Sequence, residues 1–249
     1  MILGRRRHVH SACFDEIDAA VNALLREQER TDVPVCFNAH SFPAEIPTGA
    51  IVFNLESVGL QAAPSLFGHH EIWDFSERNV QIWREAGKDV HHVPIGHHPS
   101  MRRFVRRSRH ERDIDVVFAG CPSVRRSKIL AELVSKGLKV VHVPHTSYGE
   151  ERDLILSRAK LALNVLFYTD ACYPALRSAH AIANGLPILC EQGPEMPAWC
   201  TMSADYDRVV DRVVELLGSP AVLDEEADKS YDAFARTPLA LPYAREVKA

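Results

Sequence analysis

"DIDVVFAG", Asp113–Gly120, decides the fold. It is a short, nearly continuous apolar run that stops at a glycine, which is how a strand buried on both faces of a sheet reads. Behind it, "RRSKILAELVSKG" carries Ile129, Leu130, Leu133 and Val134 at helical spacing and stops at Gly137. The same alternation then repeats. "LKVVHVP" is a strand, and "GEERDLILSRAK" a helix with acids in its first turn and bases in its last, as the helix dipole prefers. "LALNVLF" is a strand, "YPALRSAHAIANG" a helix, "LPILCE" a strand and "DYDRVVDRVVELLGS" a helix. No hairpin signal separates these pieces, so the strands are expected to be parallel and joined by crossovers, as in a doubly wound α/β sheet.

Toward the N-terminus the pattern loosens but keeps its kind. "FDEIDAAVNALLREQER" is an amphipathic helix, and "VPVCFNAH", "AIVFNLES", "HEIWDFS" and "DVHHVPIG" read as strands. "SERNVQIWREAG" is a helix with Ser76 as N-cap and Gly87 as its stop. The expected organisation is a smaller Rossmann-like domain over 1–98 and a second over 112–220. A C-terminal helix and tail, 221–249, would pack back on the first. The basic, aperiodic "HHPSMRRFVRRSRHER" forms the boundary.

The 249 residues are 46% hydrophobic and 25% charged with a formal net charge of −4, an ordinary soluble composition that argues against a general nucleic-acid binder. The basic runs at Arg5–Arg7 and Met101–Arg112 are either solvated surface or a contact for phosphate or a membrane surface. Cys13, Cys36, Cys121, Cys172, Cys190 and Cys200 form no CxxC pair and read as thiols of a reducing compartment. With neither a signal peptide nor a membrane span apparent, the expected location is cytoplasmic.

In an open parallel sheet, ligands sit at the carboxyl ends of the strands. Gly120, Cys121 and Ser123 stand there with Arg125, Arg126 and Lys128, a loop that suits phosphate or is a plain turn with solvated arginines. His142, His145 and Tyr148 follow the next strand. Asn164 lies inside an apolar run and is either a satisfied core amide or a ligand contact. Tyr168 comes after it. Pro174 starts a helix that puts Arg177 and Ser178 near its positive end. At helical spacing Arg177, His180 and Asn184 share a stripe expected to border the crevice. Glu191 then ends the next strand, where a carboxylate can accept from sugar hydroxyls. Phosphate at one end and hydroxyls at the other describe a nucleotide-sugar. The plainer alternative pairs Arg177 with an acid such as Asp170 and leaves Glu191 as a helix cap.

Three segments in this order, "HVPIGHHPSMRRF", "DIDVVFAGCPSVRRSKIL" and "YGEERDLILSRAKLALNVLFY" with "RSAHAIANGLPILCE", resemble the GT-B glycosyltransferases, especially bacterial enzymes of the CgeB-like and glycosyltransferase-group-one C-terminal type. "IVFNLES" and "EIWDFSERN" are also similar to that group, so the likeness runs from about Ile51 to Glu191. It implies an α/β, GT-B-like fold of two Rossmann-like domains facing a cleft, the N-terminal one reduced. It further implies a metal-independent glycosyltransferase with no cofactor beyond its nucleotide-sugar donor.

Under this resemblance Arg177 would hold the donor diphosphate. Gly120, Arg125, Arg126, Tyr148, Asn164, Tyr168, Ser178, Asn184 and Glu191 would complete the donor site. His40, Glu56 and Asp74 are the candidate bases, Glu56 and Asp74 favoured. The acceptor would be a saccharide, a lipid-linked molecule or another small molecule. Stable nucleic-acid binding is not expected, and peripheral membrane contact is allowed. One position departs from the family: relatives often carry a glutamate where this chain has Pro174.

Two other classes remain. A non-catalytic nucleotide-binding relative would bind without turnover. A metal-dependent hydrolase would use the histidine pairs His69/His70, His91/His92 and His97/His98, with His8 and His10, although adjacent histidines on a strand point to opposite faces.

Overall fold

The computed structural model describes residues 14–37, 39–41, 46–59, 65, 67–144 and 147–242. Arg5–Arg7, His8, His10, Cys13 and His145 lie outside the described residues. The chain divides into two compact units, one reaching Ile95 and taking up the chain again from Leu239, the other Gly96–Pro238. The second unit thus begins earlier than expected, because the basic segment is pinned into it by side chains described below.

The first unit is a four-stranded parallel sheet in the order β1-β2-β3-β4: β1 Val35–Phe37, β2 Ile51–Asn54, β3 Glu71–Asp74 and β4 Val90–His92. Register stacks Phe37 beside Phe53 and Phe53 beside Trp73. With Phe14 these rings run across one face at centroid spacings of 5.7, 5.6 and 6.0 Å. The other face buries Cys36, Val52 and Ile72 against Val80 and Trp83 of α2, Glu77–Glu85. Ser76 caps α2 by accepting from the Asn79 amide at 3.1 Å, and Gly87, at φ 72, ends it. Helix α1, Asp15–Glu27, precedes the sheet. The returning tail joins this unit: Gln28 Nε2 donates to the Leu241 carbonyl at 3.3 Å and Arg30 Nη1 to the Pro242 carbonyl at 3.2 Å.

The second unit holds β5 Ile114–Ala119, β6 Val140–Val143, β7 Ala159–Asn164, β8 Ile188–Glu191 and a short β9 Ser203–Ala204, all parallel, in the order β6-β5-β7-β8-β9. Its helices are α3 Val124–Ser135, α4 Gly149–Ser157, α5 Ala175–Ala183, α6 Val209–Gly218 and α7 Pro220–Ala235. Even positions of β5 and odd positions of β7 face α3 and α6, burying Phe118, Leu161 and Leu163 among Ile129, Leu133, Val213 and Leu216. Full burial of each such side chain contributes about 2 kcal/mol. The opposite face carries Asn164 toward α5.

Among the described residues no helix is long and apolar enough to cross a membrane, and no group of three His, Cys, Asp or Glu residues could hold a metal ion.

Candidate functional site

The chain builds β6 on one side of β5, then returns to place β7 on the other. In open parallel sheets such a reversal is where loops part and ligands are received, at the carboxyl ends of the two strands. Gly120 follows β5 and Asn164 ends β7 at that point.

Asn164 is fully buried. Its Nδ2 donates to Ser178 Oγ at 2.8 Å and Tyr173 Oη at 3.2 Å, which leaves Oδ1 to accept from Arg177 Nη1 at 2.7 Å. The two hydroxyls are 2.9 Å apart. Behind them lie the thiols of Cys200, 3.5 Å from Tyr173 Oη, and Cys190, 3.5 Å from Ser178 Oγ. The buried amide is therefore both a satisfied core group and the mount of a guanidinium. Arg177, half-buried in the first turn of α5, lies over the Phe118 ring at 5.7 Å. It packs closely against Gly120, where a Cβ would meet Arg177 Nη2 at 3.0 Å and Cζ at 3.1 Å. His142 Nε2 donates to the Gly120 carbonyl at 2.7 Å and fixes that loop from the β6 side.

Arg126 approaches the same ring, its guanidinium 5.3 Å from Phe118 and 5.1 Å from Phe167. It is almost fully buried and donates to the carbonyls of Val165 at 2.8 Å and Cys121 at 2.7 Å. Burial, followed by the nearby Arg177 cation, pulls its pKa down to about 9. Two cations thus converge on one aromatic ring, and an anion between them would relieve their repulsion. Pro174, at the N-cap of α5, offers no capping side chain to the first-turn amides.

Other expected residues take different roles. Glu191 is buried and held by protein donors: it accepts from Arg125 Nη1 at 3.0 Å and Nη2 at 2.5 Å, and from the Leu166 amide at 2.9 Å. Arg125 also lies over the Tyr206 ring at 4.1 Å and donates to the Leu166 carbonyl at 3.0 Å. The pair locks the loop after β7 to β8, and the expectation that Glu191 receives sugar hydroxyls gives way to this. Asn184 also departs from expectation. It stands at the C-cap of α5, about 10 Å of helix rise beyond Arg177. There it accepts from the amides of Arg103 at 2.6 Å and Phe104 at 2.8 Å and donates to the Met101 carbonyl at 3.2 Å. His180, on the same stripe, is buried with Nε2 2.8 Å from Asp153 Oδ1. Of the stripe, Arg177 alone stands beside the strand ends, while His180 and Asn184 are taken up by Asp153 and the 103–104 backbone. Tyr148, at the N-cap of α4, and Tyr168, exposed after β7, stand on loops of that edge.

In the first unit Asp74 is fully buried at the end of β3. Oδ1 accepts from the Ser76 amide and Asn79 Nδ2, both at 3.0 Å, and Oδ2 from Asn54 Nδ2 at 2.7 Å and Trp83 Nε1 at 2.8 Å. Burial pushes its carboxyl up to about 6, against these four donors. A carboxylate filled in this way organises the loop rather than drawing a proton from a substrate, which corrects the expectation of a base. Glu56 is half-buried after β2, its carbonyl accepting from Asn54 and Asn79 at 2.8 Å each. His40 is half-buried on the turn Ala39–Ser41. Sequence reasoning passed over Tyr173, Phe118 and Tyr206 as site-forming groups, because a buried tyrosine or phenylalanine in an apolar run reads as core.

No family model matches the chain. Protein L140 of Acanthamoeba polyphaga mimivirus, itself uncharacterized, is 24% identical over 168 residues, spanning 64% of this chain and 54% of the relative. Protein L138 of the same virus is 32% identical over 81 residues, 32% of this chain and 9% of the relative. The chain thus spans about half the length of the first relative. Among solved structures, a sucrose-phosphate synthase from Thermosynechococcus elongatus superposes with a TM-score of 0.54 at 11% identity, over 94% of this chain and 75% of the other. At that identity the likeness establishes fold. The chain is an α/β protein of two parallel-sheet, Rossmann-like units with a GT-B-like architecture.

Proposed function

We propose that the second unit binds a nucleoside-diphosphate sugar at the carboxyl edge of β5 and β7, as in a glycosyltransferase of the CgeB-like or group-one type. The observation that carries this is the Arg177 guanidinium, held at the switch point by Asn164 and packed closely beside Gly120. The diphosphate would lie between Arg177, Arg126 and the uncapped start of α5. Cations and oriented amides there stabilise the negative charge that grows on a departing diphosphate. This donor chemistry calls on no metal of the protein's own.

A second reading follows from Glu191 and Asp74. Both carboxylates are engaged by protein donors, which favours a relative that binds nucleotide without transferring sugar. A thermal-shift screen with UDP-, GDP-, dTDP- and CMP-linked sugars, repeated on Arg177→Ala, tests binding. One nucleoside diphosphate should raise Tm, and the substitution should remove most of the rise. No shift with any of them at saturating ligand would overturn both readings. Release of free nucleoside diphosphate or monophosphate from the bound donor separates them.

A further inference from the structure

We propose that the segment 102–107 is a docking surface for anionic membrane lipid, independent of whether the crevice at Gly120 binds nucleotide. Residues 101–112 contain six arginines and one acid in a chain of net charge −4. The structure separates them into two sets. Exposure alternates along 103–107, so that Arg103, Val105 and Arg107 face outward while Phe104 and Arg106 face in.

The inward set is anchored. Phe104 meets the His180 ring edge-on at 5.7 Å. Arg106 donates to the carbonyls of Gly185 and Lys160, each at 3.2 Å, and lies 3.4 Å from Asp224 Oδ1. Arg109 and Arg112 converge on the same carboxylate, which leaves one acid facing three cations. The backbone is held too, by Asn184 at Arg103 and Phe104 and by the Ser157 carbonyl, which accepts from the Arg107 amide at 3.0 Å.

The outward set is therefore presented on a backbone held at 103, 104 and 107. Val105 is 76% exposed, flanked by the exposed Arg103 and Arg107, with Arg102 exposed beside them. Cations suit lipid phosphates, and an apolar side chain between them suits the acyl boundary beneath. A single-stranded nucleic acid would want aromatic faces for its bases, and the one aromatic ring of the segment is turned inward.

The test is cosedimentation of the whole chain with phosphatidylcholine vesicles, with and without phosphatidylglycerol, at low and physiological salt. Binding is expected only with the anionic lipid and should weaken with salt. Arg102→Glu and Arg107→Glu should each cost about fivefold or more, and Val105→Asp should lower binding at fixed salt, with Tm unchanged in each. Arg177→Ala should bind vesicles like the parent, so failure of the nucleotide reading leaves this result intact. Equal binding to neutral vesicles, parent-like binding by the three surface variants, or binding to an RNA oligonucleotide but not to vesicles would overturn the proposal.

Discussion

Asn164 Oδ1 accepts from Arg177 Nη1 at 2.7 Å while the Asn164 amide nitrogen is bound to Ser178 and Tyr173. One buried side chain thereby ties a strand end to the first turn of the next helix and holds a guanidinium beside Gly120. Asn164→Ala should cost about 1–3 kcal/mol of stability, measured by urea denaturation, and should abolish the ligand-induced rise in Tm. A variant that keeps the full rise would show that Arg177 needs no mount.

Gly120→Ala tests the approach from the other side. The new methyl would stand 3.0 Å from Arg177 Nη2 and 3.1 Å from Phe118 Cζ. The flexible guanidinium gives way more easily than the ring, so stability should change by about 1 kcal/mol or less. Affinity for the nucleoside diphosphate, read by calorimetry, should fall about tenfold as a charge-assisted contact is misplaced.

For Glu191→Gln the expectation is reversed. Arg125 loses its charged partner in a nearly buried setting, and Tm should drop by the equivalent of about 2 kcal/mol, a figure reduced because Arg125 is one-quarter exposed. The ligand-induced rise should persist. Were the carboxylate a sugar contact instead, the rise would shrink and basal Tm would hold.

Asn184→Ala should release the basic segment. Two backbone amides and a carbonyl lose their partner, a cost of about 2–4 kcal/mol. Limited trypsin digestion should then cut after Arg102, Arg103, Arg106 or Arg107 at protease levels that leave the parent whole.

Asp74 sets a pH dependence whose sign runs opposite to that of a salt-bridged acid. Its folded carboxyl keeps a proton up to about pH 6, whereas the ordinary value is 3.8. Between those values the folded state binds more protons than the unfolded one, so this group makes stability rise as pH falls from neutral, by up to about 3 kcal/mol near pH 4. Asp74→Asn removes the titration and supplies one acceptor oxygen where four donors converge. It should be less stable than the parent at neutral pH, and the gap should widen on acidification. A gap that closes as pH falls would refute the assignment.

Strand and helix identities were legible in the sequence because burial on both faces and 3.6-residue spacing are local patterns. "DIDVVFAG" could hardly be anything but an inner strand, and Ser76 and Gly87 bracket their helix as their chemistry requires. That Gly120, Asn164 and Arg177 stand near strand ends on one edge was also within reach, since parallel topology gathers those ends; that Arg177 bonds Asn164 was not. What each polar group does there was not. Glu191, Asn184 and Asp74 looked like available ligands because sequence shows a side chain's type and not its partners. Only the folded chain brings Arg125 onto Glu191, the backbone of 103 and 104 onto Asn184, and Trp83 onto Asp74. The physical reason is that hydrogen-bond capacity is finite and is taken up by neighbours that only folding brings together, so whether a polar residue serves the fold or a ligand is decided by tertiary structure.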